Sequence, residues 1–202
     1  RTFMKLSNNP VLHLGKIFGI ASLLAFSSNS FSGELTPVVD DFSHVKSNSL
    51  GIERQFLDDK VAGGKTQTEI VVSGGKLHIK GEIVPPRGQP GWASSVLLLN
   101  AEGLPQDASK FEGVRLLVKV DNGNISVSAN SVEVTNFDYH AAMVAVKSDG
   151  KFHEIKIPFT SMKRAWSEQT QLNTTTISSL SIVAFGLQPT HFDYEIDEVG
   201  FY

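Results

Sequence analysis

The stretch GVRLLVKVDNGNISVSA, residues 113–129, is the clearest indication of the fold class. Its two halves, 113–120 and 124–129, show apolar alternation and β-branched residues, both of which are typical of β-strands. Between them stand Asp121, Asn122 and Gly123, and an Asn-Gly pair tolerates the positive φ angles of tight turns. The stretch is therefore predicted to form a β-hairpin.

Short segments of the same kind recur along the chain, with hardly any helical periodicity. They are residues 68–72, 76–84, 92–99, 140–146, 151–159, 180–187 and 193–202. Residues 148–150, Ser-Asp-Gly, are a turn between segments 140–146 and 151–159, as 121–123 are between 113–120 and 124–129. Uneven parity in the last segment predicts a bulge near Asp197 and Glu198. Residues 163–176 are predicted to form a loop across one end. Regularly spaced strands with turns predict an all-β, antiparallel β-sandwich or barrel.

Composition limits the function classes. The 202 residues suit one domain with a packed core, and the net charge of −3 comes without any run of Lys or Arg. Binding to nucleic acid or to an anionic membrane therefore has no electrostatic support. The chain has no cysteine, which excludes disulfides, thiolate metal sites and cysteine nucleophiles.

Residues 1–32 have the three-part layout of a signal peptide, with residues 1–3 upstream of a plausible initiator methionine. A weakly basic segment precedes the apolar run 17–26, and small residues follow it. Ser30 and Ser32 suit the positions before the cleavage site, so cleavage is predicted after Ser32. The protein is then expected to be periplasmic or secreted.

The mature chain, residues 33–202, is predicted to be a single domain without a stable membrane span. The alternative is that the apolar run is retained as an anchor. Its ten residues reach only about half of the ~20 that a transmembrane helix needs, which favours cleavage.

Five motifs occur in the expected order within a match that runs from about residue 40 to residue 202. They are DDKVAGGKT at 58–66, GWAS at 91–94, DASKFEGVRL at 107–116, IPF at 157–159 and EIDEVGF at 195–201. On these motifs the chain resembles the complex I intermediate-associated protein 30 family. The resemblance implies a galactose-binding-like β-sandwich (jelly roll). It also implies non-catalytic protein binding, because the family's named role is assembly of a mitochondrial respiratory complex. An exported form is similar to bacterial envelope members.

The segment 58–66 also carries Gly-Lys-Thr, the last three letters of a phosphate-binding loop. A strand pattern follows it, and a phosphate loop requires a helix there. The segment is predicted to turn the chain, with Gly63 and Gly64 supplying unusual backbone angles and Asp59 accepting backbone N–H bonds. Val61 is expected to pack into the end of the sandwich. A ligand contact through Asp59 is the alternative.

Trp166 is the leading candidate for a binding residue. It lies in the polar sequence KRAWSEQ, and an exposed Trp beside Arg164 has the composition of a protein-binding hot spot. An aromatic platform for carbohydrate is the other interpretation, because ring faces stack on the C–H surfaces of sugars. Its candidates are Trp92, Tyr139, His140 and Trp166, with Arg87 in the proline-rich loop before Trp92. Trp92 alternates into an apolar strand and is predicted to lie in the core.

Catalysis is not expected, because neither a nucleophile-elbow motif nor a His-rich metal signature is present. No cofactor is expected, with the exception of a structural calcium ion. Asp40 and Asp197 lie in the first and last strands, which a sandwich can bring together. The competing interpretation, which we favour, is that they are solvated charges at a strand edge.

The sequence therefore predicts a non-catalytic binding domain in the bacterial cell envelope. A protein-binding assembly or scaffolding factor is the first hypothesis, with a protein partner in the envelope. The alternative is a carbohydrate-binding module that recognises envelope or extracellular glycans.

Overall fold

The computed structural model of the chain describes residues 34–202. The predicted signal peptide at 1–32 and its cleavage site lie outside these residues. Strands and three short 3-10 turns make up the regular structure of the described part. No helix in residues 34–202 has both the length and the apolar character needed to cross a membrane.

Nine of the strands match the segments predicted from alternation. Three short strands were not predicted, and they are β1, β2 and β10 in the order given next. Their bounds are β1 (Val38–Asp40), β2 (Gln55–Asp58), β3 (Gln67–Ser73), β4 (Lys76–Ile83), β5 (Gly91–Leu98), β6 (Gly113–Asn122), β7 (Asn124–Ser131), β8 (His140–Met143), β9 (His153–Pro158), β10 (Lys163–Arg164), β11 (Ile177–Gly186) and β12 (Thr190–Phe201). The 3-10 turns are Asp59–Ala62, Phe159–Ser161 and Thr174–Thr176. Apart from β10 and the last of these turns, 163–176 is the loop that was predicted.

Two antiparallel sheets form the domain. Sheet I has the order β3-β4-β12-β6-β9, and β1 also pairs with β12. Sheet II has the order β10-β8-β7-β11-β5-β2. The predicted all-β antiparallel sandwich is confirmed.

One hydrophobic core fills the space between the sheets. Alternate residues of each strand point inward, as the two-residue period of a strand requires. Sheet I contributes Leu77, Ile79, Leu116, Val118 and Ile196. Sheet II contributes Leu97, Ile125, Val127, Leu180 and Ile182. The opposite positions of the same strands form the two outer faces.

The predicted hairpin at 113–129 is wrong, although both of its strands and its turn are present. β6 pairs with β12 and β9 in sheet I, whereas β7 pairs with β11 and β8 in sheet II. Gly123 has φ 93°, so the chain does turn there, but it crosses from one sheet to the other. β8 and β9, which Gly150 separates with φ 74°, cross in the same way. Turn residues determine a local reversal, and they do not determine which strand becomes the partner.

The bulge in the last strand is confirmed. The pairing of β12 with β6 shifts register between Ile196 and Glu198. The shift brings Ile196 and Val199 to the same inner face despite their odd spacing, and both are fully buried.

Asp59 holds three parts of the chain together. Its side chain is fully buried and accepts hydrogen bonds from the backbone N–H of Thr66 (3.1 Å), the Thr66 hydroxyl (2.6 Å) and the backbone N–H of Trp92 (3.2 Å). The Thr66 hydroxyl in turn accepts from the backbone N–H of Val84 at 3.0 Å. The prediction that Asp59 accepts backbone N–H bonds is confirmed, but the residue that caps the 3-10 turn is Asp58, whose side chain accepts from the Lys60 N–H. The alternative of a ligand contact is not compatible with a carboxylate buried in this way.

The two glycines after Asp59 serve different purposes. Gly63 has φ 85° and ends the 3-10 turn, as its predicted backbone freedom requires. Gly64 instead leaves room for the buried carboxylate, because a Cβ there would lie 2.2 Å from Asp59 Cγ. The expected packing of Val61 is wrong, since its side chain is 77% exposed.

Candidate binding site

The outer face of sheet I is covered by paired charges. Arg115 lies between Glu154 (3.0 Å) and Glu198, and Lys119 contacts both Glu195 and Asp121. Further ion pairs join His78 to Asp193 at 2.7 Å and Lys80 to Glu69 at 3.4 Å. These groups satisfy one another beside water, which is the ordinary condition of a solvated sheet face.

The outer face of sheet II is almost uncharged. Among the described strands, Lys163 of β10 is the one charged residue that points outward on this face. The other outward positions carry Ser, Asn, Gln or apolar residues, some of them aromatic. They are Gln55 and Leu57 of β2; Trp92, Ser94, Val96 and Leu98 of β5; Asn124, Ser126, Ser128 and Asn130 of β7; Ala141 and Met143 of β8; and Ser179, Ser181, Val183 and Phe185 of β11.

Small polar residues form the floor of this face. Ser128 and Asn130 of β7 lie opposite Ser181 and Ser179 of β11, and Ser126 lies opposite Val183. We call Ser126, Ser128, Asn130, Ser179 and Ser181 the serine groove. The Asn130 amide donates to the hydroxyls of Ser179 (3.0 Å) and Ser181 (2.8 Å). Ser126 and Ser128 are 9% and 3% exposed, so their hydroxyls, which can both donate and accept hydrogen bonds, lie at the bottom of this face.

Larger side chains border the serine groove. Val96 of β5 pairs with Ser181 on one side, and Met143 of β8 pairs with Ser126 on the other. Trp92 and Phe185 are register partners at one end. Because each strand residue advances the chain by about 3.3 Å, the groove is roughly 20 Å long from Asn124 to Asn130.

The prediction that Trp92 lies in the core is wrong. Ala93 points inward and is buried, so the half-buried Trp92 points to the outer face. The error has a clear cause: β5 carries apolar residues on both faces, and alternation cannot then distinguish the inner face from the outer one.

An aromatic rim lies at the other end of the serine groove. It consists of Phe137, Tyr139 and Trp166. Tyr139 immediately precedes His140, which pairs with Ala129 near the Asn130 end. The rings of Tyr139 and Trp166 meet edge to face with centroids 5.4 Å apart, so the structure brings two predicted site residues together. Trp166 is 61% exposed and Phe137 is 94% exposed. No sequence pattern indicated Phe137 as a site residue.

Asp138 anchors the rim. Its buried carboxylate accepts from Arg164 Nε (2.9 Å) and from the backbone N–H groups of Tyr139 (2.8 Å), Ala165 (2.9 Å) and Ser167 (3.0 Å). Burial alone would raise the pKa of Asp138, but the hydrogen bonds from Tyr139, Arg164 and Ser167 outweigh it and hold the pKa well below its usual range. Burial, assisted by the Asp138 charge, raises the pKa of the Tyr139 hydroxyl.

The remaining predicted site residues lie elsewhere or have other roles. Arg164 is engaged by Asp138 and by the Asn136 side chain at 3.1 Å, so it holds the rim loops in place and has little freedom to reach a ligand. His140 is 2% exposed and its Nε2 contacts the Thr170 carbonyl at 2.9 Å, which removes it from the binding surface. Arg87 is exposed in the loop before β5, the strand that carries Trp92.

The residues proposed for calcium do not fit that ion. β1 does pair with β12, as the prediction required, with Asp40 opposite Val199. However, the Asp40 carboxylate is fully buried in an ion pair with Arg54, with Nε–Oδ2 at 2.5 Å. Residues 34–202 contain no group of three or more Asp, Glu, His or Cys side chains placed to hold a metal. Asp40 is neither a calcium ligand here nor a solvated edge charge, while Asp197 is half-buried in the bulged strand.

The stability of the domain is expected to fall in acid through Asp138. Because its folded-state pKa is depressed, its contribution is fully present above the unfolded pKa of about 4 and is lost as the pH falls through the folded pKa. Urea unfolding of the wild type and Asp138→Asn checks this. The difference between their unfolding free energies should shrink from about pH 6 to about pH 3. A constant difference would contradict the assignment.

The two packed antiparallel sheets define a galactose-binding-like β-sandwich domain. The chain belongs to the complex I intermediate-associated protein 30 (CIA30) family, whose model matches residues 43–196. A search of curated proteins found no match.

Among solved structures, the chain is similar to the family 11 carbohydrate-binding module of the cellulosomal cellulase Lic26A-Cel5E of Clostridium thermocellum, with 18% identity and TM-score 0.57 over 84% of this chain and 95% of that one. The family 11 module from the same organism in complex with a β-1,3-1,4-mixed-linked tetrasaccharide gives 17% identity and TM-score 0.57, over 82% of this chain and 94% of that one. The agarase AgWH50C gives 10% identity and TM-score 0.55, over 81% of this chain and 24% of the agarase.

Proposed function

We propose that the domain is a non-catalytic carbohydrate-binding module that holds a neutral polysaccharide in the serine groove. The observation that carries the proposal is the uncharged floor of hydroxyl and amide groups between Trp92 at one end and the aromatic rim at the other. This choice reverses the order of the two hypotheses from the sequence.

The chemistry of the groove suits a neutral sugar chain. Sugar hydroxyls both donate and accept hydrogen bonds, as do the hydroxyls of Ser126 and Ser128. The C–H faces of sugar rings are apolar and match the flanking side chains Trp92 and Val96. A charged polymer would require opposite charges, and the outward positions of β2, β5, β7, β8 and β11 carry none.

The absence of carboxylates on these strand positions also supports binding without bond cleavage, because glycoside hydrolysis ordinarily needs a pair of them. A further support is that one structure with this fold holds a mixed-linked glucan tetrasaccharide. At 17% identity that likeness concerns the fold, so the choice of sugar rests on the groove itself.

Trp92→Ala is expected to weaken binding at least about tenfold, because a large ring at the end of the groove would be lost from the interface. Isothermal titration calorimetry with oligosaccharides from β-1,3-1,4-glucan and from agarose measures the effect. Val71→Ala is the matched control, since Val71 is also half-exposed on a sheet but belongs to sheet I. Failure of both sugars to bind the wild type would contradict the proposal, as would equal affinities for the two variants.

Protein binding in the envelope remains a second candidate. It is favoured by the exposed rings of Phe137 and Trp166, which resemble the anchors of protein interfaces. Affinity capture from the native envelope with residues 33–202 tests it. A protein partner lost with Trp166→Ala but retained with Trp92→Ala would support this candidate, whereas a partner unaffected by Trp166→Ala would contradict it. The periplasmic or secreted location remains a prediction.

A further inference from the structure

Phe137 is held in an unusual conformation without being buried. Its φ of 63° lies in the left-handed region, which bulky residues rarely adopt. Phe42 is the other non-glycine residue with positive φ in the described chain, and its ring is buried against the core and the Arg54 guanidinium. Packing accounts for Phe42, but the Phe137 ring is 94% exposed. Strain that exposes a large ring to water calls for a functional explanation.

The neighbours of Phe137 impose its conformation. On one side, the Asn136 side chain accepts from Arg164 at 3.1 Å and donates to the Ser167 hydroxyl at 2.9 Å. On the other side, Asp138 is buried with the contacts described above. With both flanking residues fixed, the ring between them must project outward.

The same contacts join the two loops that carry the rim. Asp138 belongs to the loop before β8, and its partners Arg164, Ala165 and Ser167 belong to the segment that starts in β10. Gln169 closes this second loop, accepting from the Arg164 N–H at 3.0 Å and donating to the Arg164 carbonyl at 2.9 Å. These hydrogen bonds therefore fix the backbone on either side of Tyr139 and Trp166, whose rings meet edge to face. Side chains that are already ordered lose less entropy when a ligand binds.

We propose that the aromatic rim is a preformed carbohydrate subsite that extends the serine groove, in which Phe137 and Trp166 contact the sugar and Asp138 is the positioning residue. This inference rests on the proposed function, since the rim would bind the same neutral chain that the groove holds. Tyr139 contacts Trp166 and adjoins His140, whose register partner Ala129 is next to Asn130, and this proximity of rim and groove argues for one extended ligand.

The two tryptophans provide a direct test, because the chain has only two and they mark opposite ends of the site. In a ¹⁵N–¹H correlation spectrum of the wild-type protein each gives one indole signal, and Trp166→Phe assigns them. Oligosaccharides from β-1,3-1,4-glucan and from agarose are titrated separately. Movement of both indole signals with one of the sugars is the expected result.

The other outcomes separate this inference from the proposed function. Movement of the Trp92 signal alone would overturn the rim subsite and leave the groove as the binding site. Movement of neither signal with either sugar would overturn both. Movement of the Trp166 signal alone would overturn the groove and with it the continuous ligand.

Two variants test the individual roles. Phe137→Ala removes a side chain that is almost fully exposed, so the fold should be retained while affinity falls about three- to tenfold. Asp138→Asn should shift the Trp166 indole signal before any sugar is added and should weaken binding to a similar extent. Val71→Ala should leave both the affinity and the indole signals unchanged. Unchanged affinity in Phe137→Ala would overturn the contact assigned to this ring, even if Asp138→Asn fails to fold.

Discussion

Asp40→Ala is expected to lower the free energy of unfolding by about 3–5 kcal/mol. The Asp40 carboxylate and the Arg54 guanidinium are both buried, and two hydrogen bonds join them, from Nε to Oδ2 at 2.5 Å and from Nη2 to Oδ1 at 2.9 Å. Removal of the carboxylate leaves a buried positive charge without its counter-ion, which is far more costly than the loss of a surface pair. Urea unfolding followed by circular dichroism measures the change.

The neighbouring residue supplies the control. Asp41 is exposed and bonds to the hydroxyls of Ser43 (2.7 Å) and Ser49 (3.0 Å), so Asp41→Ala should cost less than about 1 kcal/mol. The double variant Asp40→Ala/Arg54→Met should recover much of the lost stability, because no unpaired charge remains in the interior. Equal losses for Asp40→Ala and Asp41→Ala would show that the ion pair does not form as described.

Asp59→Ala should also destabilise the domain by about 3–5 kcal/mol, for a different physical reason. The variant leaves the backbone N–H groups of Thr66 and Trp92 buried without an acceptor. The Thr66 hydroxyl also loses the carboxylate oxygen to which it donates. Each unsatisfied buried donor costs about 1–3 kcal/mol. Water could accept hydrogen bonds from these donors only if the loop opened. Thermal and urea unfolding should report the same large decrease.

Asp58→Ala is the matched control for this prediction. Asp58 caps the same 3-10 turn from the surface, accepting from the Lys60 N–H at 3.0 Å, and its loss should cost about 1 kcal/mol. Gly64→Ala should resemble Asp59→Ala, because the added Cβ would collide with the Asp59 carboxylate. A stable Gly64→Ala protein together with a mild Asp59→Ala effect would contradict the role of this carboxylate.

The sequence predicted some residues of the binding surface but not the surface as a whole. Trp166 and Tyr139 were singled out from composition, and the structure places them in contact. Phe137 was missed because nothing in its local sequence indicates that anchored neighbours force it outward. The serine groove did have a signal: serines at alternate positions of strands, 126 and 128 in β7 and 179 and 181 in β11, indicate a polar outer face. Only the pairing of β7 with β11 joins these two rows into one floor.

By itself, the sequence determined all the described strands except β1, β2 and β10, the turns at Gly123 and Gly150, and the bulge near Asp197. All of these depend on interactions among residues close together in the chain, such as alternation, glycine backbone angles and short-range hydrogen bonds. The tertiary structure alone decided that β6 and β7 belong to different sheets, that Trp92 faces outward and that Asp40 pairs with Arg54. These outcomes depend on which strand edges and which buried charges meet across the fold, and local sequence carries no information about such distant partners.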